Sequence, residues 1–84
     1  MDVILGVQTV LDETLSLGKR AYELTPESEL LGAIPELDSQ AVLSVLMGLE
    51  EHFDVLIDDD EIEASIFENL GGLIGLVQGK LNGD

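Results

Sequence analysis

The chain has no cysteine and no tryptophan, and its only aromatic residues are Tyr22, Phe53 and Phe67. Without cysteine there is no disulfide framework and no intrinsic thiol chemistry. A core built from Leu, Ile and Val with few rings opens more readily than one locked by large ones. Bases are scarce too: three Lys and Arg stand against 18 Asp and Glu, for a formal charge of −15. That balance argues against nucleic acid, where affinity comes largely from cations on phosphates, and against an anionic membrane surface. It favours partners with basic patches and fast, salt-sensitive encounters. It also brings self-repulsion, so salt or divalent cations are expected to stabilise the fold.

Long hydrophobic runs are missing as well. The longest apolar-rich stretch, Leu70 to Val77, is too short to cross a bilayer. No basic segment precedes an apolar run, so no secretory signal is expected and the cytoplasm is the expected location. His52 is the lone histidine, which leaves a zinc site unsupported. Asp58-Asp59-Asp60-Glu61 lacks the alternating ligands, central Gly and terminal Glu of a calcium-binding EF-hand loop. Weak, nonspecific divalent binding is all it implies, and no metal site is expected.

What remains is helical periodicity in 84 residues, a length that holds one domain and one modest core. Val3, Val7, Val10/Leu11 and Thr14/Leu15 recur near the 3.6 spacing, flanked by Ile4 and Leu17, and predict a first helix over about 2–17. Gly18 is its expected stop, with Lys19 and Arg20 beside its negative end. A long connection over 18–38 follows. Leu24, Leu30, Leu31, Ile34 and Leu37 are expected to tuck inward, with a single capped turn at Thr25-Pro26-Glu27-Ser28. A second helix runs from Ser39 to about Phe53, with Val42, Val45/Leu46, Leu49 and Phe53 in one apolar stripe. Val55 or Leu56 and Ile57 are buried-type residues in the turn after it. A short helix is expected over about 60–66. Asn69 then caps a last helix, Leu70 to Leu81, with Leu70, Leu73/Ile74, Val77 and Leu81 inward. Asn82-Gly83-Asp84 reads as a frayed end. Gly71, Gly72, Gly75 and Gly79 in the last helix imply either a close contact or a loosely held helix. Neither strand alternation nor an internal repeat appears, and the prediction is an all-α bundle of four helices, three long and one short.

The organising stretch is Glu36-Leu37-Asp38-Ser39-Gln40. Asp38 can cap the second helix, and Ser39 then lies at its positive end with its hydroxyl near solvent. A negative group on that hydroxyl would be favoured by the dipole and the free N–H groups. Taken alone, Ser39 is as ordinary as any first-turn serine. The wider pattern is not: Leu31-Gly32, Leu37-Asp38-Ser39, Leu49-Glu50-Glu51-His52-Phe53, Ile57-Asp58-Asp59-Asp60-Glu61-Ile62 and Phe67 together resemble the acyl carrier protein family.

The resemblance covers most of residues 1–84 and implies a single acyl carrier domain of that family's four-helix type, with the long loop between helices one and two. It implies 4′-phosphopantetheine esterified to Ser39 and carrying acyl groups as thioesters, and no catalytic residues. Ser39 is then an acceptor served by a phosphopantetheinyl transferase, with coenzyme A and magnesium as that enzyme's co-substrates. Asp38 holds the helix start, and either that is its whole role or it also helps place the magnesium-bound phosphate. Gln40, Leu43 and Met47 form the candidate partner-facing patch, with core packing the alternative for Leu43 and Met47. Glu50 and Glu51 would pair with a partner's Arg or Lys, or simply be solvated. Ile62 would cover the far side of the arm, or pack in the core. Gly48, Gly71 and Gly75 would leave space for a chain between helices two and four. The expected partners are an acyl-loading ligase or transferase and downstream enzymes with basic patches, and the expected state is a monomer.

Two departures matter. Gln40 stands where many members have Leu or Met, and Ala41 and Ser44 stand where many have acids. A dedicated lipid, polyketide or related pathway is therefore expected over general fatty acid biosynthesis. Two rivals stay open: a peptidyl or aminoacyl carrier, and an unmodified acidic helical adaptor for a basic partner.

Overall fold

The structure, a computed structural model, describes residues 2–82 apart from the side chains of Asp59 and Ala64. Four α-helices follow one another: α1 Val3–Leu15, α2 Lys19–Tyr22, α3 Ser39–Phe53 and α4 Leu70–Leu81. The fold is all-α, with three long helices and one short, and a long connection leads into α3. Among the described residues, no helix is long and apolar enough to cross a membrane. Of the expected frayed end, Gly83 and Asp84 lie outside the described residues.

The short helix expected over about 60–66 is not there. Residues around 60–66 instead form two 3₁₀ turns, Asp59–Glu61 and Ala64–Phe67. Extended backbone at Glu63 (φ −130°, ψ 153°) separates them. The Glu61 carboxylate reaches back to accept from the Asp58 N–H at 2.9 Å, and this local bond satisfies the first turn without a continuous helix. The extra short helix is α2, in a segment expected to be loop.

α1 starts as expected, with Asp2 Oδ1 accepting from the Leu5 N–H at 3.1 Å. It ends two residues early. Ser16 turns left-handed at φ 57°, and the Asp12 carboxylate takes both the Gly18 N–H at 2.8 Å and the Tyr22 hydroxyl at 3.1 Å. Leu17 is still buried, but from outside the helix. Lys19 and Arg20 therefore belong to α2 rather than to the end of α1.

Val7, Val10, Leu11 and Leu15 of α1 meet Val45, Leu46, Leu49 and Phe53 of α3 and Leu70, Leu73, Ile74 and Val77 of α4 in one core. Ile4 and Leu81, expected on inward stripes, are exposed, as is Leu56. The long connection is anchored by buried Leu30, Ile34 and Leu37, with Leu24 half-buried. Leu31 departs from the expectation and faces outward. Gln8 pins the connection from α1, its side-chain amide donating to the Leu24 carbonyl at 2.8 Å. Further support comes from backbone bonds that side-chain pattern does not show. The N–H groups of Leu30 and Leu31 donate to the carbonyls of Glu68 and Phe67, and those of Leu70 and Gly71 to the carbonyls of Ser28 and Pro26. An isolated antiparallel bridge between Glu29 and Asn69 lies within this ladder.

Arg20 closes the connection near its far end. Its guanidinium donates to both carboxylate oxygens of Glu36, at 2.8 and 3.1 Å. Those bonds hold the Glu36 carboxyl below its ordinary value. A carboxyl depressed in the fold stabilises fully above the unfolded glutamate range, and that contribution drains away as pH falls through the folded value. The stability gap between wild type and Arg20→Gln, from urea midpoints, should be present at neutral pH and vanish in acid. A gap that survives in acid would assign Arg20 to packing instead.

The glycines of α4 divide into two kinds. A β-carbon at Gly72 would fall 2.6 Å from the Ile66 carbonyl oxygen, and one at Gly71 would fall 3.1 Å from that of Pro26. Gly75 and Gly79 face open space. Close contact therefore explains the first pair only. Gly75→Ala should stabilise by about 0.5–1 kcal/mol through helix propensity. Gly72→Ala should instead cost about 1–3 kcal/mol, because backbone must move. Parallel urea melts of the two variants check the opposite signs.

Candidate functional site

The start of α3 is built by Asp38. Its backbone is extended (φ −108°, ψ −174°), and its Oδ1 accepts from the N–H groups of Gln40 at 3.1 Å and Ala41 at 2.9 Å. The Val42 N–H bonds the Asp38 carbonyl. The expectation of several free N–H groups is thus narrowed: among the described residues, only the Ser39 N–H of this turn remains without a partner. Ser39 is exposed and its hydroxyl takes part in no described hydrogen bond. No acid occupies the first turn of α3; Asp38 complements the helix dipole at its start, and Glu63 lines the same cavity as Ser39.

Beside Ser39 lies a cavity of about 360 Å³, lined by Leu31, Asp38, Ser39, Val42, Ile62, Glu63 and Phe67. Its wall is mostly apolar and includes exposed Leu31 and half-buried Ile62. The backbone ladder fixes two wall residues at once, since the Leu31 N–H donates to the Phe67 carbonyl at 2.9 Å. A second depression of about 220 Å³ lies next to it, lined by Leu43, Leu46, Met47, Glu50, Ile57 and Ile62. Ile62 borders both.

The site residues expected from sequence separate into groups. Asp38, Ser39 and Ile62 meet at the first cavity. Leu43 and Met47 are 58% and 61% exposed and line the second. Gln40 and Glu51 are exposed, away from both cavities' linings. Glu50 is half-buried, and its carboxylate accepts from the Ile57 N–H at 2.8 Å, so part of it serves the fold. Of the glycines named as leaving space for a chain, two are in close contact and one is open. A β-carbon at Gly48 would meet Val10 of α1 at 2.9 Å, Gly71 abuts Pro26, and Gly75 is open. Sequence reasoning missed Leu31, Val42, Glu63 and Phe67 as cavity walls. Val42 had a signal, since it follows Ser39 by three residues and so shares its face.

A scan against protein-family models returns no match. Two curated relatives, however, are named acyl carrier protein. That of Desulforapulum autotrophicum is 35% identical over 69 residues, 82% of this chain and 87% of its own length. That of Exiguobacterium sp. is 32% identical over 82 residues, 94% of each chain. This chain belongs to the acyl carrier protein family. It is also similar to the solution NMR structure of a holo acyl carrier protein from Nitrosomonas europaea, with a TM-score of 0.91 and 50% identity over 98% of this chain and 99% of that one. An acyl carrier protein is a carrier rather than an enzyme.

Proposed function

We propose that this acyl carrier protein bears 4′-phosphopantetheine on Ser39. The observation that carries the reading is the exposed, unbonded Ser39 hydroxyl at the positive end of α3, next to an apolar cavity. Bound there, the group would supply the thiol for thioester chemistry that a cysteine-free chain lacks. The chain's own residues prepare the place. Asp38 fixes the first turn so that Ser39 presents its hydroxyl outward, and the Ser39 N–H and the helix dipole favour a phosphodiester at that end. Leu31, Val42, Ile62 and Phe67 offer an apolar wall to a chain carried from it. Ser39 needs no base of its own, because a phosphopantetheinyl transferase, using coenzyme A and magnesium, would supply one.

Leu43 and Met47, with Gln40 and Glu51 beside them, would form the surface met by the transferase, the acyl-loading enzyme and later acyl-processing enzymes. Bare of acids in its first turn, this face supports service to a dedicated lipid or polyketide-type pathway in the cytoplasm. If housekeeping fatty acid synthase enzymes load and elongate the protein as well as their own carrier, the dedicated pathway is wrong. The arm is tested by intact mass before and after incubation with a broad-specificity phosphopantetheinyl transferase, coenzyme A and magnesium. One added phosphopantetheine is expected. Absence of the arm both here and in protein from native cells would overturn the reading.

A further inference from the structure

The strand of chain between α3 and the Ala64–Phe67 turn is held from outside at few points. Among the described residues, no backbone–backbone hydrogen bond joins residues 56–63 to α1, α3 or α4. Half-buried Ile57 and Ile62 pack against the core, and two polar side-chain anchors supplement them. At the α3 end, Glu50 accepts from the Ile57 N–H at 2.8 Å. At the α4 end, the Lys80 ammonium donates to the Glu61 carboxylate at 2.5 Å, and the same oxygen accepts from the Asp58 N–H. This pair is more shielded than Arg20–Glu36, with side chains 15% and 33% exposed against 56% and 37%.

The α4 surface under this segment explains why an ion pair is needed. Gly75 and Gly79 offer no side chain to pack against, and a depression of about 230 Å³ remains between Glu61 and α4. Beside half-buried Leu76, Lys80 bridges this gap. Ile62 and Glu63, directly after Glu61, form one wall of the cavity beside Ser39.

We propose that Lys80 is a positioning residue: through Glu61 it clasps segment 57–63 to α4 and thereby sets the wall of the cavity next to the attachment serine. Only its bearing on cargo rests on the carrier reading. With the clasp released, the segment lifts more often and a chain lying in the cavity is less shielded.

The test compares wild type, Lys80→Met and Lys80→Arg. In the unmodified proteins, amide hydrogen exchange at Asp58 and Glu61 should quicken about tenfold in Lys80→Met, with α1 and α3 unchanged. The resonances of the Val42 methyls, which line the same cavity, should shift. Lys80→Arg should restore both. The same proteins are then loaded from octanoyl-coenzyme A, and hydroxylamine should cleave the thioester about threefold faster in Lys80→Met. Unchanged exchange at Asp58 and Glu61 would overturn the clasp, as would a rise spread evenly over α1 and α3. Faster exchange with unmoved Val42 methyls or unchanged cleavage would overturn its link to the cavity. Should Ser39 accept no group at all, the carrier reading falls, while exchange and the Val42 methyls still decide the clasp.

Discussion

Ser39→Ala is expected to melt within about 0.5 kcal/mol of wild type and yet to carry nothing. The stability half follows from the hydrogen bonds. The cap of α3 is Asp38, whose carboxylate takes two first-turn N–H groups, whereas the Ser39 hydroxyl holds nothing in place. Alanine is also the better helix former. The functional half follows from the proposed attachment, since no cysteine or second serine in the first turn can replace the Ser39 oxygen. Asp38→Ala provides the contrast, costing about 1 kcal/mol by stripping the cap. Intact mass after transferase treatment, with a urea melt of the same sample, reads both halves. An acidic adaptor would behave otherwise, because binding a basic partner needs no hydroxyl at Ser39. If Ser39→Ala supports growth in cells that depend on this protein, the adaptor reading gains and the carrier reading is lost.

The parts of the fold written in side-chain periodicity were legible. Val7, Val10 and Leu11, Val45 and Leu49, and Leu73 and Val77 lie in the core where spacing put them. Asp38 and Asn69 cap as their chemistry demands. Backbone pairing was not legible. The ladder between 26–31 and 67–71 uses N–H and carbonyl groups that every residue but proline possesses, so nothing in the residue pattern marks it. That ladder is what turns Leu31 out of the core and sets it beside Phe67 at the cavity. The acidic turn misled for a related reason. In the sequence Glu61 is only part of an acidic run, but its carboxylate is shared between the Asp58 N–H and Lys80, and this favours separate 3₁₀ turns over one helix. Ser39, the serine proposed for attachment, stood out only in context. Asp-Ser gives a helix start, whereas the cavity that distinguishes this start from others is assembled from residues up to 36 positions apart in number, Leu31 to Phe67.

Phe67→Ala should be the most damaging substitution for the fold, at about 3–5 kcal/mol. Phe67 is the largest of the fully buried side chains. Its carbonyl receives the Leu31 N–H and its side chain lines the cavity beside Ser39. The void left by the ring would join that cavity and could not be refilled by α4, because Gly72 already sits hard against Ile66. A domain of 84 residues has about 4–13 kcal/mol of stability in all. The loss therefore brings the protein close to unfolding, with a fall in Tm of about 15 °C or more. By comparison, Leu43→Ala, on the exposed face of α3, should change stability by no more than about 0.5 kcal/mol. Phe67→Leu separates volume from shape. If filling the site is what matters, leucine should recover most of the loss, leaving about 1.5 kcal/mol or less. If Phe67→Leu melts as low as Phe67→Ala, the flat ring is required where the loop ladder, α4 and the cavity meet. A Phe67→Ala protein as stable as wild type would instead mean that the core holds without this side chain, contrary to its burial.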